Sequence, residues 1–262
     1  MLYALLSPAK KLDFKPIPDL LEQLDLKPTQ PALLAETSVI IDRAKKLSRE
    51  QIKRLMDLSP KLAELNFARF QIFDATNRND TKPAFYAFAG DVYVGLNART
   101  FDKSEIAFAQ RHVGIISGLY GLLRPLDAIQ PYRLEMGSRL DTVDGTDLYA
   151  FWRDRLTAHV NAVTAKLKSP TIVNLASNEY WSAIDQRRLK CPVVQPVFKE
   201  IRAGKAQVIS FLAKKARGVM ARAIIENRWE KPDDLKGFST DGYRYDPRAS
   251  DDVTWVFSRK AK

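Results

Sequence analysis

The stretch from Gly114 to Met136 constrains the fold of this chain more than any other. Gly118 and Gly121 frame an apolar dipeptide, so the backbone can turn tightly there or approach another molecule closely. Prolines at positions 125 and 131 then prevent one uninterrupted helix. The pattern predicts a short hairpin between two helical pieces, and the alternative is a buried corner whose glycines serve packing alone.

The length and composition are those of an ordinary folded protein. The chain has 262 residues, enough for one large domain or two small ones, and 45% of them are hydrophobic. No run of about 18 apolar residues occurs, so we expect no membrane-spanning segment. Cys191 is the only cysteine, which excludes an intramolecular disulfide and makes the reducing cytoplasm the expected compartment.

The charge balance is more informative than the composition. Lys and Arg number 42 against 31 for Asp and Glu, which gives a net charge of +11 and a pI of about 9.6. Such an excess favours polyanionic partners, namely nucleic acid, an anionic membrane surface or phosphorylated small molecules. In many proteins the same excess serves solubility alone.

Hydrophobic periodicity and capping residues predict one α+β domain over residues 1–262, without repeats or linkers. Leu2–Leu6 has the apolar pattern of a buried strand. Ser48, with Gln51 three residues on, predicts a helix start, and Ser59-Pro60 predicts another. The other predicted elements are a helix over 31–47, a strand–turn–strand over 84–96, a helix capped by Ser104, a helix over 146–167, a strand over 171–176, hairpin arms over 193–201 and 207–212, a helix over 214–226, and strand pieces near Tyr243 and Val253–Phe257.

Metal and serine chemistry have little support in the sequence. The only histidines, His112 and His159, lie far apart and outside any metal-binding spacing, so we expect no metal site and no cofactor. Ser7 and Lys10 have the Ser-x-x-Lys spacing of penicillin-recognising enzymes, but the partner motifs of those enzymes are missing. We therefore interpret this segment as a turn at a strand end.

The sequence supports anion binding more strongly than metal or serine chemistry. The chain contains neither of the standard nucleotide-binding loops, but three segments could present amides or cations to an anion: Ser7–Lys11, Gly118–Arg124 and Lys214–Arg217. The last lies at a predicted helix start, where cations oppose the helix dipole. Cations at a helix start are understandable if an anion binds between the basic side chains. The alternative is a solvated basic face.

Several segments recur, in order, in one known family. They are Ser7-Pro8-Ala9-Lys10, Gly90-Asp91-Val92-Tyr93 with Gly95-Leu96, Ser117-Gly118-Leu119-Tyr120-Gly121-Leu122-Leu123-Arg124-Pro125-Leu126-Asp127, Gln130-Pro131-Tyr132-Arg133-Leu134-Glu135-Met136-Gly137, Asn174-Leu175-Ala176-Ser177, Glu179-Tyr180, Lys214-Lys215-Ala216-Arg217-Gly218 and Ile225-Glu226-Asn227-Arg228. On these segments, which span nearly the whole chain, it resembles the YaaA family of peroxide stress resistance proteins.

The resemblance implies a cytoplasmic bacterial protein that helps cells survive hydrogen peroxide and limits free intracellular iron. It also implies a single oval α+β domain with a mixed sheet flanked by helices, a positively charged cleft and a helix-hairpin-helix element. In this chain that element would fall on Ser117–Arg124. The usual hairpin spacing is Gly-x-Gly, whereas here two residues separate Gly118 from Gly121.

The first functional hypothesis is therefore a DNA-binding protein of the peroxide stress response. Nothing resembles a base-reading helix, so duplex or distorted DNA, such as junctions and bubbles, is the expected partner, bound without sequence specificity. We expect neither a membrane nor a protein partner. The predicted DNA-binding residues are Lys10, Ser117, Gly118, Leu119, Tyr120, Gly121, Arg124, Lys214, Lys215 and Arg217.

The alternative hypothesis is an enzyme that acts on a nucleotide, a nucleobase or another phosphorylated small molecule. Polar residues interrupt apolar stretches where catalytic groups often lie. In this hypothesis Asp91 or Glu135 is a general acid or base, and Arg124 holds an anion. A buried ion-pair network that stabilises the core would account for the same residues.

Overall fold

In the part of the chain that the structure describes, strands at the centre of the molecule form an eight-stranded sheet. The computed structural model describes residues 1–77 and 79–261. Its strands are β1 (Leu2–Leu6), β2 (Lys82–Pro83), β3 (Val113–Ser117), β4 (Gly121–Leu123), β5 (Ala128–Ile129), β6 (Thr171–Leu175), β7 (Val193–Arg202), β8 (Lys205–Gln207), β9 (Arg244–Tyr245) and β10 (Thr254–Lys260). The pairing order is β4-β3-β1-β6-β7-β10-β9, β8 pairs with β7, and β2 and β5 form a separate ribbon.

The central strands β3, β1, β6, β7 and β10 run parallel to one another. Strands β4, β8 and β9 are antiparallel to their neighbours, so the sheet is mixed. Parallel strands buried on both faces have nearly continuous apolar sequences, as the fully buried β1 does. The predicted strand at Leu2–Leu6 is confirmed.

Helices flank the sheet, and the fold is a single-domain α+β arrangement, as predicted. They are α1 (Pro18–Gln23), α2 (Leu34–Lys45), α3 (Arg49–Leu55), α4 (Pro60–Ile72), α5 (Ala84–Ala87), α6 (Asp91–Leu96), α7 (Lys103–His112), α8 (Leu148–Thr164), α9 (Asn178–Trp181) and α10 (Ser210–Glu226). Short 3₁₀ turns cover Ala98–Thr100, Gln186–Arg188, Pro232–Gly237 and Thr240–Gly242. Helix α10 contacts β1, β6 and β7 as well as α6.

Local capping signals in the sequence identify several helix starts correctly. The Ser48 hydroxyl accepts a hydrogen bond from the Gln51 amide, and the Gln51 side chain accepts one from the Ser48 amide. Ser59 caps α4 in the predicted place. The cap of α7 is Asp102 and not Ser104, because Asp102 forms a complete capping box with Glu105.

The predicted strand–turn–strand over 84–96 is wrong, since this segment forms α5 and α6. The reason lies in tertiary packing. A Cβ atom built at Gly95 would lie 2.2 Å from the carbonyl oxygen of Lys215, and one at Gly218 would lie 1.8 Å from that of Val92. These glycines bring the backbones of α6 and α10 into direct contact, which overrides the local strand preference.

The glycine segment does form a hairpin, but the predicted helical pieces on either side of it are wrong. Strands β3 and β4 flank the turn, with Ser117 paired to Gly121. The residues of β3 are fully buried between β1 and β4, where β-branched Val113, Ile115 and Ile116 favour a strand. Gly121 has a φ of +69°, the left-handed conformation that glycine adopts readily. Ser117–Arg124 is therefore a β-hairpin and not a helix-hairpin-helix.

Candidate functional site at the carboxyl edge of the sheet

The order of the parallel strands brings three loops together at one edge of the sheet. Leu6, near the end of β1, pairs with Ile115 on one side and Leu175 on the other, so the carboxyl ends of β1, β3 and β6 are adjacent. The chain passes from β1 to β3 on one side and later returns to β6 on the other. In open sheets of parallel strands, ligands bind outside the carboxyl ends at such a change of direction.

Two serines connect the ends of β1 and β6. The Ser7 hydroxyl accepts a hydrogen bond of 2.8 Å from the Ser177 amide and lies 3.3 Å from the Ser177 hydroxyl. The Tyr93 hydroxyl donates a 3.0 Å hydrogen bond to the Ser7 carbonyl oxygen, and burial raises the pKa of Tyr93 well above its usual value. These contacts hold the Ser7–Lys10 segment in place at the end of β1.

Glu135 joins two cations at this edge. Its carboxylate lies 2.7 Å from the Lys10 ammonium and 3.0 Å from the Arg133 guanidinium. The Lys10 side chain is 63% exposed, whereas those of Arg133 and Glu135 are only about one-fifth exposed. Lys10 and Glu135, which the sequence assigned to different hypotheses, are thus direct partners, and the local charge of the trio is positive.

A second carboxylate, Glu179, ties the loop after β6 to the same region. The Gly137 amide donates a 3.1 Å hydrogen bond to its Oε1 atom. Tyr180, the next residue, is 8% exposed, and burial raises its pKa. Sequence reasoning noted Glu179 only as one of the polar residues that interrupt apolar stretches, and it did not select Gly137; both lie in segments that carry the family resemblance.

A groove of about 500 Å³ continues from Gly137 toward α3. Arg54 lies on its α3 side and Arg139 on the opposite side, and both arginines are exposed. Within residues 1–77 and 79–261, neither arginine forms an ion pair. We call Arg54, Arg139, Arg133 and Lys10 the carboxyl-edge track.

Helices α3 and α4 contact each other along a short helical hairpin that borders this groove. Residues 56–59 connect them, and Asp57 in this turn has a φ of 48°. The sequence predicts both helices, but nothing in their local pattern indicates that they pair.

The hairpin residues predicted to bind DNA lie inside the protein. Leu119 is fully buried and Tyr120 is 1% exposed. The amides of both donate hydrogen bonds to the hydroxyl of Ser117, which is itself buried and paired with the Tyr132 hydroxyl. Gly118 packs against the backbone of Leu134 and Gly121 against Trp152. In this conformation these groups do not reach an external phosphate, because the core uses them.

Arg124 lies away from the other predicted residues. Strand β4 runs antiparallel to β3 and its last residue, Leu123, pairs with Ile115, so Arg124 lies beside β3 and not beyond its carboxyl end. Its guanidinium lies 2.9 Å from the buried carboxylate of Asp127 and donates a hydrogen bond to the Gln30 carbonyl oxygen. The structure therefore does not assemble Asp91, Arg124 and Glu135 into one pocket.

The basic residues of α10 lie past its first turn. The helix begins at Ser210, earlier than the sequence predicts, because the Ala213 amide already bonds to the Ile209 carbonyl oxygen. The Lys215 ammonium is 3.7 Å from a carboxylate oxygen of Asp241, and Lys214 is exposed. Arg217 is half-buried, and burial lowers its pKa.

Asp91 and the histidines complete the set of predicted positions. Asp91 is exposed in the first turn of α6 and lines a cavity with Lys11 and Arg99. The His112 ring contacts the Leu2 carbonyl oxygen. In the part of the chain that the structure describes, no three His, Cys, Asp or Glu side chains are grouped to hold a metal ion, and no helix is long and apolar enough to cross a membrane.

Comparison with known proteins identifies the family. A family model described as peroxide stress protein YaaA matches residues 1–249. The chain belongs to the YaaA family. Three similar proteins, each named UPF0246 protein, come from Hahella chejuensis (44% identity; 97% of each chain), Phenylobacterium zucineum (49%; 97% of this chain and 93% of the relative) and Caulobacter vibrioides (48%; 97% of each chain). Membership of the YaaA family is consistent with a role in peroxide stress.

Proposed function

We propose that the protein binds nucleic acid during peroxide stress, along the sugar–phosphate backbone and without sequence specificity. The observation that carries this proposal is the carboxyl-edge track. Arg54 and Arg139 face a common groove, and Gly137 connects that groove to Glu179 and to the loop that carries Arg133. Exposed cations such as Arg54, Arg139 and Lys10 attract phosphates irrespective of the bases, and the partly buried Arg133 adds to their positive potential.

The helical hairpin of α3 and α4 supports phosphate binding beside the track. Ser59, Pro60 and Lys61 are exposed at the start of α4, a helix of 13 residues. Backbone amides and the positive end of the helix dipole favour an anion at such a terminus. In this proposal the α3–α4 hairpin takes the role that the sequence suggested for Ser117–Arg124.

The basic face of α10 extends the proposed surface. Gly90, which precedes α6, packs against Ala9 beside Lys10, and Gly95 of α6 packs against the backbone of Lys215. Lys214 and Lys215 therefore belong to elements that adjoin the track. We propose that they add sequence-independent affinity, whereas Arg217 lies too deep for a first contact with DNA.

The test is a salt titration of duplex binding by fluorescence anisotropy. For Arg54→Ala/Arg139→Ala we expect affinity to fall for all DNA sequences alike, and the slope of log K against log salt to become shallower by about 2. The matched control is Arg111→Ala/Lys168→Ala, which removes two exposed cations at the other edge of the sheet. Equal behaviour of the two double variants would contradict the proposal.

Limitation of free iron is, in this proposal, an indirect consequence of binding and shielding DNA. Titration of the purified protein with Fe²⁺ under anaerobic conditions tests that order of events. We expect no stoichiometric binding, and tight binding of one or more ions per chain would overturn it.

The enzymatic alternative loses its anion-binding arginine, since Arg124 pairs with the buried carboxylate of Asp127. Glu135 is engaged by Lys10 and Arg133. Asp91 still lines a cavity. This cavity supports a ligand-binding role for the protein.

A further inference from the structure

A cavity of about 390 Å³ lies beside the carboxyl-edge track. Its volume is in the range of pockets that hold small molecules. Its lining residues come from the loop after β1, from α5 and α6, and from the 3₁₀ turn Ala98–Thr100. Lys10 belongs to the track and its neighbour Lys11 to the cavity, so the two features adjoin.

Backbone hydrogen bonds hold the walls of this cavity in place. The Asp13 amide donates to the Ala87 carbonyl oxygen at 2.8 Å, and the Ala89 amide donates to that of Lys11 at 2.9 Å. Leu12 forms an antiparallel bridge with Phe88 between these two bonds. The cavity is therefore preformed and needs little rearrangement to accept a ligand.

The hydroxyl of Tyr86, a residue that lines the cavity, is buried without a hydrogen-bond partner in residues 1–77 and 79–261. Tyr86 is 3% exposed, and burial raises its pKa to about 12, so the hydroxyl stays protonated. The guanidinium of Arg99, another lining residue, lies close enough to oppose that rise. A ligand acceptor that reaches this hydroxyl would supply the hydrogen bond that it lacks.

The charged groups around the cavity are of both signs. Lys11 is exposed and forms no ion pair with any residue that the structure describes. Arg99 lies 3.3 Å from the Asp13 carboxylate, which also receives the Lys15 amide and lies 3.8 Å from the Lys82 ammonium. With Asp13 so occupied, Asp91 is the carboxylate left to accept hydrogen bonds from a ligand.

We propose that this cavity binds one nucleotide unit, with its phosphate at Lys11 and Arg99 and its base against the apolar wall of Phe88, Tyr93 and Val94. Ring or amino hydrogens of the base face Asp91, and an acceptor atom receives the Tyr86 hydroxyl. A free mononucleotide and a nucleotide turned out of distorted DNA share this chemistry. In the second case the site rests on the proposed DNA-binding function, because the adjoining track would deliver the nucleotide.

The first arm of the test is calorimetric titration with the four nucleoside 5′-monophosphates and with inorganic phosphate. We expect the mononucleotides to bind more tightly than phosphate. Tyr86→Phe should lower that affinity about five-fold, as expected for one hydrogen bond, and it should keep the fold because the hydroxyl has no partner to lose among the residues that the structure describes. Lys11→Ala should weaken binding further, whereas its control Lys15→Ala, an exposed lysine of the same loop outside the cavity, should not.

The second arm compares a plain duplex with the same duplex carrying a central bubble. If the nucleotide comes from DNA, Tyr86→Phe abolishes any preference for the bubble and leaves duplex affinity unchanged. If it is a free metabolite, the calorimetric effects appear and bubble preference does not change. If neither Tyr86→Phe nor Lys11→Ala changes the result of either experiment, the proposed nucleotide site is wrong. If the protein binds no DNA at all, the proposed function is wrong instead, and calorimetry with the mononucleotides still tests the cavity.

Discussion

At the scale of single residues, the carboxyl edge depends on carboxylates that position cations. Glu135 lies between Lys10 and Arg133, and Glu179 receives the Gly137 amide. Because Lys10 is well exposed, its ion pair contributes little to stability. The consequence of the pair is local charge: Glu135 cancels part of the positive potential that a phosphate would meet.

Glu135→Gln is therefore expected to strengthen DNA binding. Removing the negative charge beside Lys10 and Arg133 should raise duplex affinity roughly two- to five-fold at low salt, the range of a modest charge interaction near the surface. Fluorescence anisotropy measures this effect. The control Asp154→Asn removes a carboxylate from an ion pair with Arg188 outside the track and should leave affinity unchanged. Weaker binding by Glu135→Gln would show that Glu135 is needed to orient Lys10 and Arg133.

At the scale of elements, the contact between α6 and α10 determines where the cavity and the basic face of α10 lie. Two glycines make this contact possible, and a side chain at either would meet the backbone of the other helix. A well-packed contact of this kind tolerates added atoms poorly. The same contact explains why α6 is a helix despite its alternating sequence.

Gly218→Ala is expected to destabilise the protein by about 1–3 kcal/mol or more through overpacking, although alanine is the better helix former. Its new Cβ atom would lie 1.8 Å from the Val92 carbonyl oxygen. Chemical denaturation followed by circular dichroism measures the change. Gly237→Ala is the matched control, since no atom of residues 1–77 and 79–261 outside its own chain neighbours lies within 4 Å of the added atom. A stable Gly218→Ala variant would mean that α6 and α10 are not in direct contact.

The elements also show what local sequence can predict. The capping box of Ser48 and Gln51 involves neighbouring residues only, so the start of α3 is readable from the sequence. The hairpin at Gly118–Gly121 can likewise be predicted from the local sequence, but the strands on either side of it cannot. Residues 113–117 and 84–96 take their structure from distant partners, β1 in the first case and α10 in the second.

At the scale of the whole molecule, the candidate site follows from strand order. Leu6 of β1 pairs with Leu175 of β6, and this long-range register brings Ser7 beside Ser177. The sequence identifies Lys10 and Glu135 as functional candidates, but it does not indicate that they meet. It also groups Arg124 with them, because nothing local shows that β4 carries Arg124 back along β3, where it pairs with Asp127.

Stability should also depend on pH through the buried His112. Its Nδ1 atom lies 2.8 Å from the Leu2 carbonyl oxygen, and burial lowers its pKa below the ordinary value of 6.5. The unfolded chain then binds the extra proton first, so stability is full above about pH 6.5 and falls on acidification below it. In His112→Gln, the midpoint of chemical denaturation should depend less on pH when it is measured between about pH 7.5 and 5. An unchanged slope would contradict this assignment.

The central claim is that nucleic acid lies along the carboxyl edge of the sheet, and amide hydrogen exchange tests it most directly. We expect a short duplex to slow exchange at residues 8–11, 49–61 and 137–141, with little change at residues 166–170 at the other edge. Protection that is confined to the other edge, or is equal everywhere, would contradict the account.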